Sequence, residues 1–212
     1  IDISGNTATL DKVIRGQFDI VEGDPFNPRK IKAAAERIRK MGIFSDSNVR
    51  TRAGSNSSKV VIEVDVVEKP TGSLTFGAGY SSAAGLGGII EYGERNFLGR
   101  GQSLSFAIKA GKDDQLYEFS FYEPMFLRND LGFGVNASFK DTNQQNAAYD
   151  TGNIKFQPFV SYSLGEKSKI KIEYSISQTQ LTNPGNVGSL ISDEVNEGKI
   201  TSSSIGYLYS HD

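Results

Sequence analysis

From Ser73 onward, apolar and polar positions alternate with hardly a break. Leu74, Phe76, Ala78 and Tyr80 share one side of a strand, and Leu104, Phe106, Ile108 and Ala110 interleave with Ser103, Ser105, Ala107 and Lys109. Tyr117, Phe119 and Phe121 stand opposite Glu118, Ser120 and Tyr122. The same rhythm carries Leu131 to Phe139, Ile154 to Leu164 and Ile170 to Ile176, and Ile205, Tyr207 and Tyr209 close the series. Period two predicts about eight antiparallel strands, each long enough at a tilt to cross a bilayer.

The connections reinforce that reading. In Glu94-Arg95-Asn96-Phe97-Leu98-Gly99-Arg100-Gly101-Gln102, two glycines bracket Arg100 and predict a tight hairpin between the strands on either side. Turns near Arg128-Asn129-Asp130 and Gly165-Glu166-Lys167 are also short, whereas Lys140 to Gly152 and Thr179 to Lys199 are long and polar. Short turns on one rim and long loops on the other are the habit of outer-membrane barrels. A soluble β-sandwich also alternates. Against it stand the repeated Phe and Tyr of the apolar faces, and aromatics expected near strand ends: Tyr80, Tyr92, Phe97, Phe126 and Tyr209.

Before Pro70 the pattern changes. Ile1 to Asn6 reads as a short strand and a turn, and a helix is expected from about Leu10 to Phe18. A second helix is better marked: Asn27 caps it, Pro28 opens it, Gly42 ends it, and Ile31, Ala34, Ala35, Ile38 and Met41 keep helical spacing. Strands follow at Ser47 to Arg52 and Val60 to Val67, joined by the turn Ala53 to Ser58. Strand, helix, helix, strand, strand is an α+β module.

Composition places the boundary at the same point. All nine tyrosines and ten of the thirteen phenylalanines follow residue 70. The division predicted is 1–69 for the small domain and 70–212 for the barrel segment. A net charge of -2, with no Lys/Arg run, excludes nucleic acid as the partner. The chain has no cysteine, hence no disulfide and no thiolate metal site. No apolar run is long enough for a spanning helix.

Catalytic chemistry finds no support in the residues. The single histidine, His211, has no partners in sequence, and no His/Cys/carboxylate cluster has ligand spacing, so no catalytic, cofactor-binding or metal residue is assigned. Gly132-Phe133-Gly134-Val135-Asn136-Ala137 matches a dinucleotide fingerprint on paper, but it lies in a strand pattern and opens no helix. Glu91 and Glu94, three apart along a strand, point to opposite faces and make no acid–base pair.

Five stretches carry a resemblance: Ile3-Ser4-Gly5-Asn6, Arg39 to Phe44, Gly72 to Tyr80, Asn96 to Gly101 and Phe121 to Phe126. In order, and across nearly the whole chain, they resemble the Omp85 superfamily, and within it the insertases at the centre of the β-barrel assembly machine. The resemblance implies that 1–69 is a POTRA domain, the last of an array, and that 73–209 is the first half of a sixteen-stranded barrel. The loop motif Val-Arg-Gly-Phe and an aromatic closing strand, both expected of such a protein, are absent, so a fragment is expected.

A half barrel leaves two strand edges. Three arrangements are open: the first strand pairs with the eighth, two chains combine, or the other half lies outside this sequence. By resemblance, the first strand, with Ser73, Thr75, Gly77 and Gly79, is the edge of a lateral gate that templates client β-strands. Asn96, Phe97, Leu98, Gly99 and Gly101 form the family's turn motif, and Glu22 lies where POTRA domains meet a lipoprotein partner. The implied setting is the bacterial outer membrane with the POTRA domain in the periplasm. Implied partners are unfolded outer-membrane clients, accessory lipoproteins and outer-membrane lipid. The alternatives are an Omp85 exporter, a passive pore and, from a different class, a soluble binding module.

Overall fold

A computed structural model describes residues 1–56, 59–82, 85–127, 130–143, 149–165, 167–185 and 188–211. The chain divides into two compact units. One joins Ile1–Gly72 with Glu94–Gln102; the other joins Ser73–Gly93 with Ser103–Asp212. The chain first passes from one unit to the other between Gly72 and Ser73. The hairpin turn expected in the barrel segment instead packs with the small unit.

In the small unit the elements run β1 (Asp2–Ser4), α1 (Asp11–Arg15), α2 (Pro28–Lys40), β2 (Phe44–Ala53) and β3 (Val60–Glu68). Their sheet order is β1-β3-β2, with β1 parallel to β3 and β2 antiparallel to it. Asn27 caps α2 by accepting hydrogen bonds from the Arg29 and Lys30 amides. Its spaced apolar residues Ile31, Ala34 and Ile38 meet Ile14, Phe18, Ile62, Val64 and Val66 in one core. Helix α1 is shorter than expected, and Gly16 caps it. Beyond it, Gln17 and Phe18 donate to the carbonyls three residues back, so the chain tightens into turns while Phe18 still reaches the core. Residues 57–58 of the β2–β3 turn lie outside the described residues.

The sheet unit carries β4 (Gly72–Ser81), β5 (Gly85–Phe97), β6 (Gln102–Gly111), β7 (Asp114–Glu123), β8 (Leu131–Thr142), β9 (Asp150–Ser163), β10 (Ser168–Thr182) and β11 (Lys199–His211). These eight strands form one antiparallel sheet in sequence order, 10 to 15 residues each, long enough to cross a hydrocarbon core. Register aligns the apolar residues across neighbours: Phe106 faces Phe119, Ala137 faces Phe156, and Ile172 faces both Val160 and Tyr207. One continuous apolar face results. The other face carries Ser105, Glu118, Asn136, Lys155, Gln157 and their like. No helix among the described residues is long and apolar enough to cross a membrane, which says nothing about crossing by strands.

One of the three open arrangements is excluded, and two sequence expectations need correction. The sheet is open, with β4 and β11 as its edges, so the first strand does not pair with the eighth. The first correction concerns the long-loop rim, where only residues 112–113 separate β6 from β7, and Thr179 to Lys199 is not loop throughout. There β10 runs on to Thr182 and a helix, α3 (Ser189–Glu197), precedes β11; nine helical residues with no buried position carry too weak a period to read. The second concerns Tyr92, which lies within β5 rather than near its end, its ring 5.2 Å from that of Phe106. The turn at Arg128-Asn129 and residues 144–148 and 166 lie outside the described residues. Pro158 does sit inside β9, and there the β9–β10 ladder lapses, running to Phe159↔Glu173 and resuming at Phe156↔Ile176.

Candidate functional site

Strand β4 is exposed at all ten positions and has β5 as its one neighbour. Phe76 and Tyr80, on the apolar side, are 70% and 78% exposed. On the polar side, Ser73 and Thr75 line a trough of about 620 Å³ with Glu91, Glu118, Asn136 and Lys155. Gly77 and Gly79 continue that side. A Cβ on Gly77 would lie 2.7 Å from Ile89 Cγ2, whereas one on Gly79 would meet nothing within 4 Å. The four predicted edge residues therefore share one side of a strand whose outer hydrogen-bonding row has no partner in the sheet.

The turn between β5 and β6 is built differently. Asn96 folds it: its carbonyl accepts the Gly99 amide at 2.9 Å, and its Oδ1 accepts the Gly101 amide at 2.8 Å. The turn then docks on the loop after β1. Leu10 donates its amide to the Gly99 carbonyl at 2.8 Å, and Asn96 Nδ2 donates to Thr9 Oγ1 at 2.9 Å. Gly99 is buried; a Cβ there would stand 2.0 Å from the Ala8 carbonyl oxygen. At Gly101 a Cβ would stand 2.9 Å from Val13 Cγ1, in the side chain of a fully buried residue. Arg95 donates its amide to the Thr71 carbonyl at 3.3 Å.

Glu68, at the end of β3, holds the receiving loop from below. Its carboxylate accepts from Thr7 Oγ1 at 2.7 Å and from the Ala8 and Thr9 amides at 2.9 and 2.6 Å. Partial burial works against the charge, but the bonds from Thr9, Ala8 and Thr7 outweigh it and bring the pKa from 4.5 down to about 2. A depressed pKa contributes stability that is complete above the ordinary carboxylate value and is lost as pH falls from about 4.5 toward 2. Glu68→Gln is expected to loosen this loop by about 2–3 kcal/mol at neutral pH, with the gap to the parent closing in that acid window. Hydrogen exchange at Ala8 and Thr9 reads it; unchanged protection in the variant at pH 7 would show that the carboxylate does not hold the loop.

Glu22 stands apart from both groups. It is exposed, and its carboxylate takes hydrogen bonds from the Ile1 amino group at 3.2 Å and from Arg15 Nη1 at 2.9 Å. These two cations, the amino group first, hold its pKa below the ordinary value.

On the polar face of the sheet lies a cluster that no motif announced. The Tyr122 and Phe159 rings stack at 5.9 Å and 13°, Lys171 Nζ sits 4.4 Å over the Phe159 ring and Lys169 Nζ 5.4 Å over Tyr122. Tyr122 Oη and Ser161 Oγ are 3.0 Å apart. The rings lie across β8 because Gly132 and Gly134 leave the space: Cβ atoms there would fall 2.3 Å from Tyr122 Oη and 2.2 Å from Phe159 Cζ. The apparent dinucleotide fingerprint is thus a pair of ring seats inside β8. His211 Nδ1 is 2.8 Å from Ser168 Oγ, and the described residues contain no group of three or more His, Asp or Glu placed to hold a metal.

The model of the Omp85 superfamily domain matches residues 96–212, more than half of the chain, beginning at the asparagine that folds the docked turn. The chain belongs to the Omp85 superfamily. The POTRA model, described as a surface antigen variable number repeat, matches residues 1–69 of this Omp85 chain. Among curated relatives, the outer membrane protein assembly factor BamA of Neorickettsia risticii is 29% identical over 178 residues, covering 84% of this chain and 24% of that protein. BamA of Nitratidesulfovibrio vulgaris is 30% identical over 186 residues, covering 84% and 22%. The chain thus spans about a quarter of the length of the curated relatives it matches.

Among solved structures, that of BamA from Haemophilus ducreyi lacking POTRA domains 1–3 superposes with a TM-score of 0.76 at 20% identity, over 100% of this chain and 43% of that one. CdiB from Acinetobacter baumannii follows at 0.59 and 14%, over 96% and 41%. These likenesses extend the Omp85 assignment to the fold: a POTRA domain followed by a barrel-type antiparallel sheet.

Proposed function

We propose that this chain is the last POTRA domain and first barrel half of an outer-membrane protein assembly factor, and that β4 receives client β-strands. The observation that supports the reading is the likeness of 84% of the chain to BamA assembly factors, with β4 as the first strand, and so an edge, of its sheet. In hydrocarbon each unpaired backbone group costs several kcal/mol, so such an edge favours any extended segment that completes its ladder. Main-chain bonds are indifferent to side-chain identity, which suits a factor that handles many clients. The names of the curated relatives support assembly rather than export.

On this reading Ser73, Thr75, Gly77 and Gly79 mark the gate edge. Gly79, free of neighbours, gives the strand a point of weak packing from which pairing can open. The sheet lies in the outer membrane with the POTRA domain in the periplasm, and clients and accessory lipoproteins approach from there. Glu22, exposed yet held by Arg15, serves as a contact for one of those lipoproteins.

The test uses the cysteine-free background. Thr75→Cys in the full-length protein, with one cysteine in the last strand of a client barrel, is expected to give a client adduct during assembly in cells. Adducts only to the protein's own closing strand would mean that the edge stays paired, and would leave the exporter or pore reading in its place.

A further inference from the structure

Three glycines on the polar side of the sheet lie under a side chain from the strand alongside. Gly134 faces Tyr122 on β7 and Phe159 on β9, and a Cβ there would meet the Phe159 ring at 2.2 Å. Gly206 faces Glu173, whose Cγ would stand 3.2 Å away. Gly77 lies under Ile89 of β5, with Cγ2 at 2.7 Å. Gly79, two residues further along β4, differs: a Cβ there would meet nothing within 4 Å.

The ladder between β4 and β5 explains the difference. Just before β4 the Arg95 amide donates to the Thr71 carbonyl, and Ser73 Oγ donates to the Gly93 carbonyl. With Gly77 under Ile89, these contacts keep one antiparallel register, which puts Gly87 opposite Gly79. The inner neighbour therefore offers Gly79 no side chain. Main-chain bonds alternate along such a ladder, so Ser73, Thr75, Gly77 and Gly79 direct their backbone groups to β5, and Leu74, Phe76, Ala78 and Tyr80 direct theirs outward. An antiparallel strand outside β4 would bond through those four. Its polar-side residues would then stand opposite Thr75 and Gly79 in non-bonded pairs, where Cα atoms approach to about 4.5 Å.

A hollow of about 560 Å³ opens here, lined by Gly77, Gly79, Gly87 and Gly111 with Lys109 among them. Lys109 is exposed and makes no ion pair within 4 Å among the described residues. Bare backbone beside a lysine is also what surrounds the stacked rings at β8, where Gly132 and Gly134 leave the space and Lys171 Nζ stands 4.4 Å over Phe159. We propose that Gly79 and Gly87 seat an aromatic ring carried on the polar side of a strand that pairs outside β4. The partner is an extended segment with one ring among its polar-side residues and apolar residues on its other side, continuing the face of Leu74, Phe76 and Tyr80. The inference rests on the reading of β4 as an edge that receives client strands, and adds a selecting contact to main-chain bonds that accept any sequence.

The test uses the full-length protein in detergent micelles, with Thr75→Cys as its one cysteine, and two synthetic peptides that alternate apolar and polar residues. Each peptide carries a cysteine on its polar side and, four positions before it, phenylalanine in one and alanine in the other. An antiparallel strand with its cysteine at Thr75, a separation a disulfide spans, sets that earlier position at Gly79. Under mild oxidant the phenylalanine peptide is expected to form the disulfide adduct at least about fivefold faster. In Gly79→Val that advantage should vanish while the alanine peptide reacts as before, because φ at Gly79 is not positive and the first added carbon meets no neighbour. Equal rates for the two peptides on the parent, or an advantage that survives Gly79→Val, would overturn the seat and leave the edge standing. If neither peptide reacts, β4 takes no outside strand, and the seat falls together with the reading it rests on.

Discussion

Gly99→Ala is expected to release the β5–β6 turn from the small unit, with the Leu10 amide exchanging its hydrogen at least about a hundredfold faster, equivalent to about 3 kcal/mol of lost docking. Two costs combine. At φ 69° an alanine is strained by about 1–2 kcal/mol. Its Cβ would also stand 2.0 Å from the Ala8 carbonyl oxygen, a backbone atom that cannot rotate away, because Glu68 fixes the same loop through the Thr7 hydroxyl and the Ala8 and Thr9 amides. The turn must therefore withdraw, and the Leu10-to-Gly99 and Asn96-to-Thr9 bonds go with it. Asn96→Ala, which removes side-chain bonds without a clash, should give a smaller effect of about 1–2 kcal/mol. Full protection of Leu10 in Gly99→Ala would mean that the turn does not dock through this residue.

Gly134→Ala is expected to cost about 1–2 kcal/mol, less than the turn variant, because the obstacle is a ring and not a backbone atom. The added methyl would meet Phe159 Cζ at 2.2 Å. Phe159 can tilt, but in tilting it gives up its stack on Tyr122 and the cation of Lys171 above it. If the ring is the cause, Phe159→Ala in the same chain should remove the penalty, so the two changes together cost less than their sum. The midpoint of urea unfolding in detergent micelles measures all four corners of that cycle. Strict additivity would show that the glycine is not there to seat the ring.

These two sites mark where reading the chain as a string succeeds and where it stops. Helix α2 was legible because its signals are local: Asn27, Pro28 and Gly42 stand at its ends, and the spacing of Ile31, Ala34 and Ile38 follows from helical geometry alone. The strands of the sheet were legible for a similar reason. Alternation has period two wherever one face is apolar, and that holds before any strand has found its neighbour. Register was not written there. That Ile172 faces Val160 and Tyr207, and that the β9–β10 ladder lapses at Pro158, came from the assembled ladder.

The candidate site divides in the same way. Ser73, Thr75, Gly77 and Gly79 fall on one side of β4 by alternation, so their common side was determined by the sequence. Gly99 and Gly101 declared a turn, but not what the turn touches. Thr9 and Glu68, 87 residues from Asn96 in one case and 59 from Thr9 in the other, meet the site only because β1 pairs in parallel with β3, which lays the loop after β1 beside the end of β3. Gly132 and Gly134 likewise imitated a phosphate-binding motif until the neighbouring strands supplied Tyr122 and Phe159. The sequence by itself determined α2, the strands of the sheet and their faces, because those depend on spacing within about a dozen residues, while five motif stretches carried the resemblance to the family. The tertiary structure alone decided the register of the sheet and that the β5–β6 turn packs with the small unit, because pairing and docking depend on which distant backbone groups come within hydrogen-bonding reach.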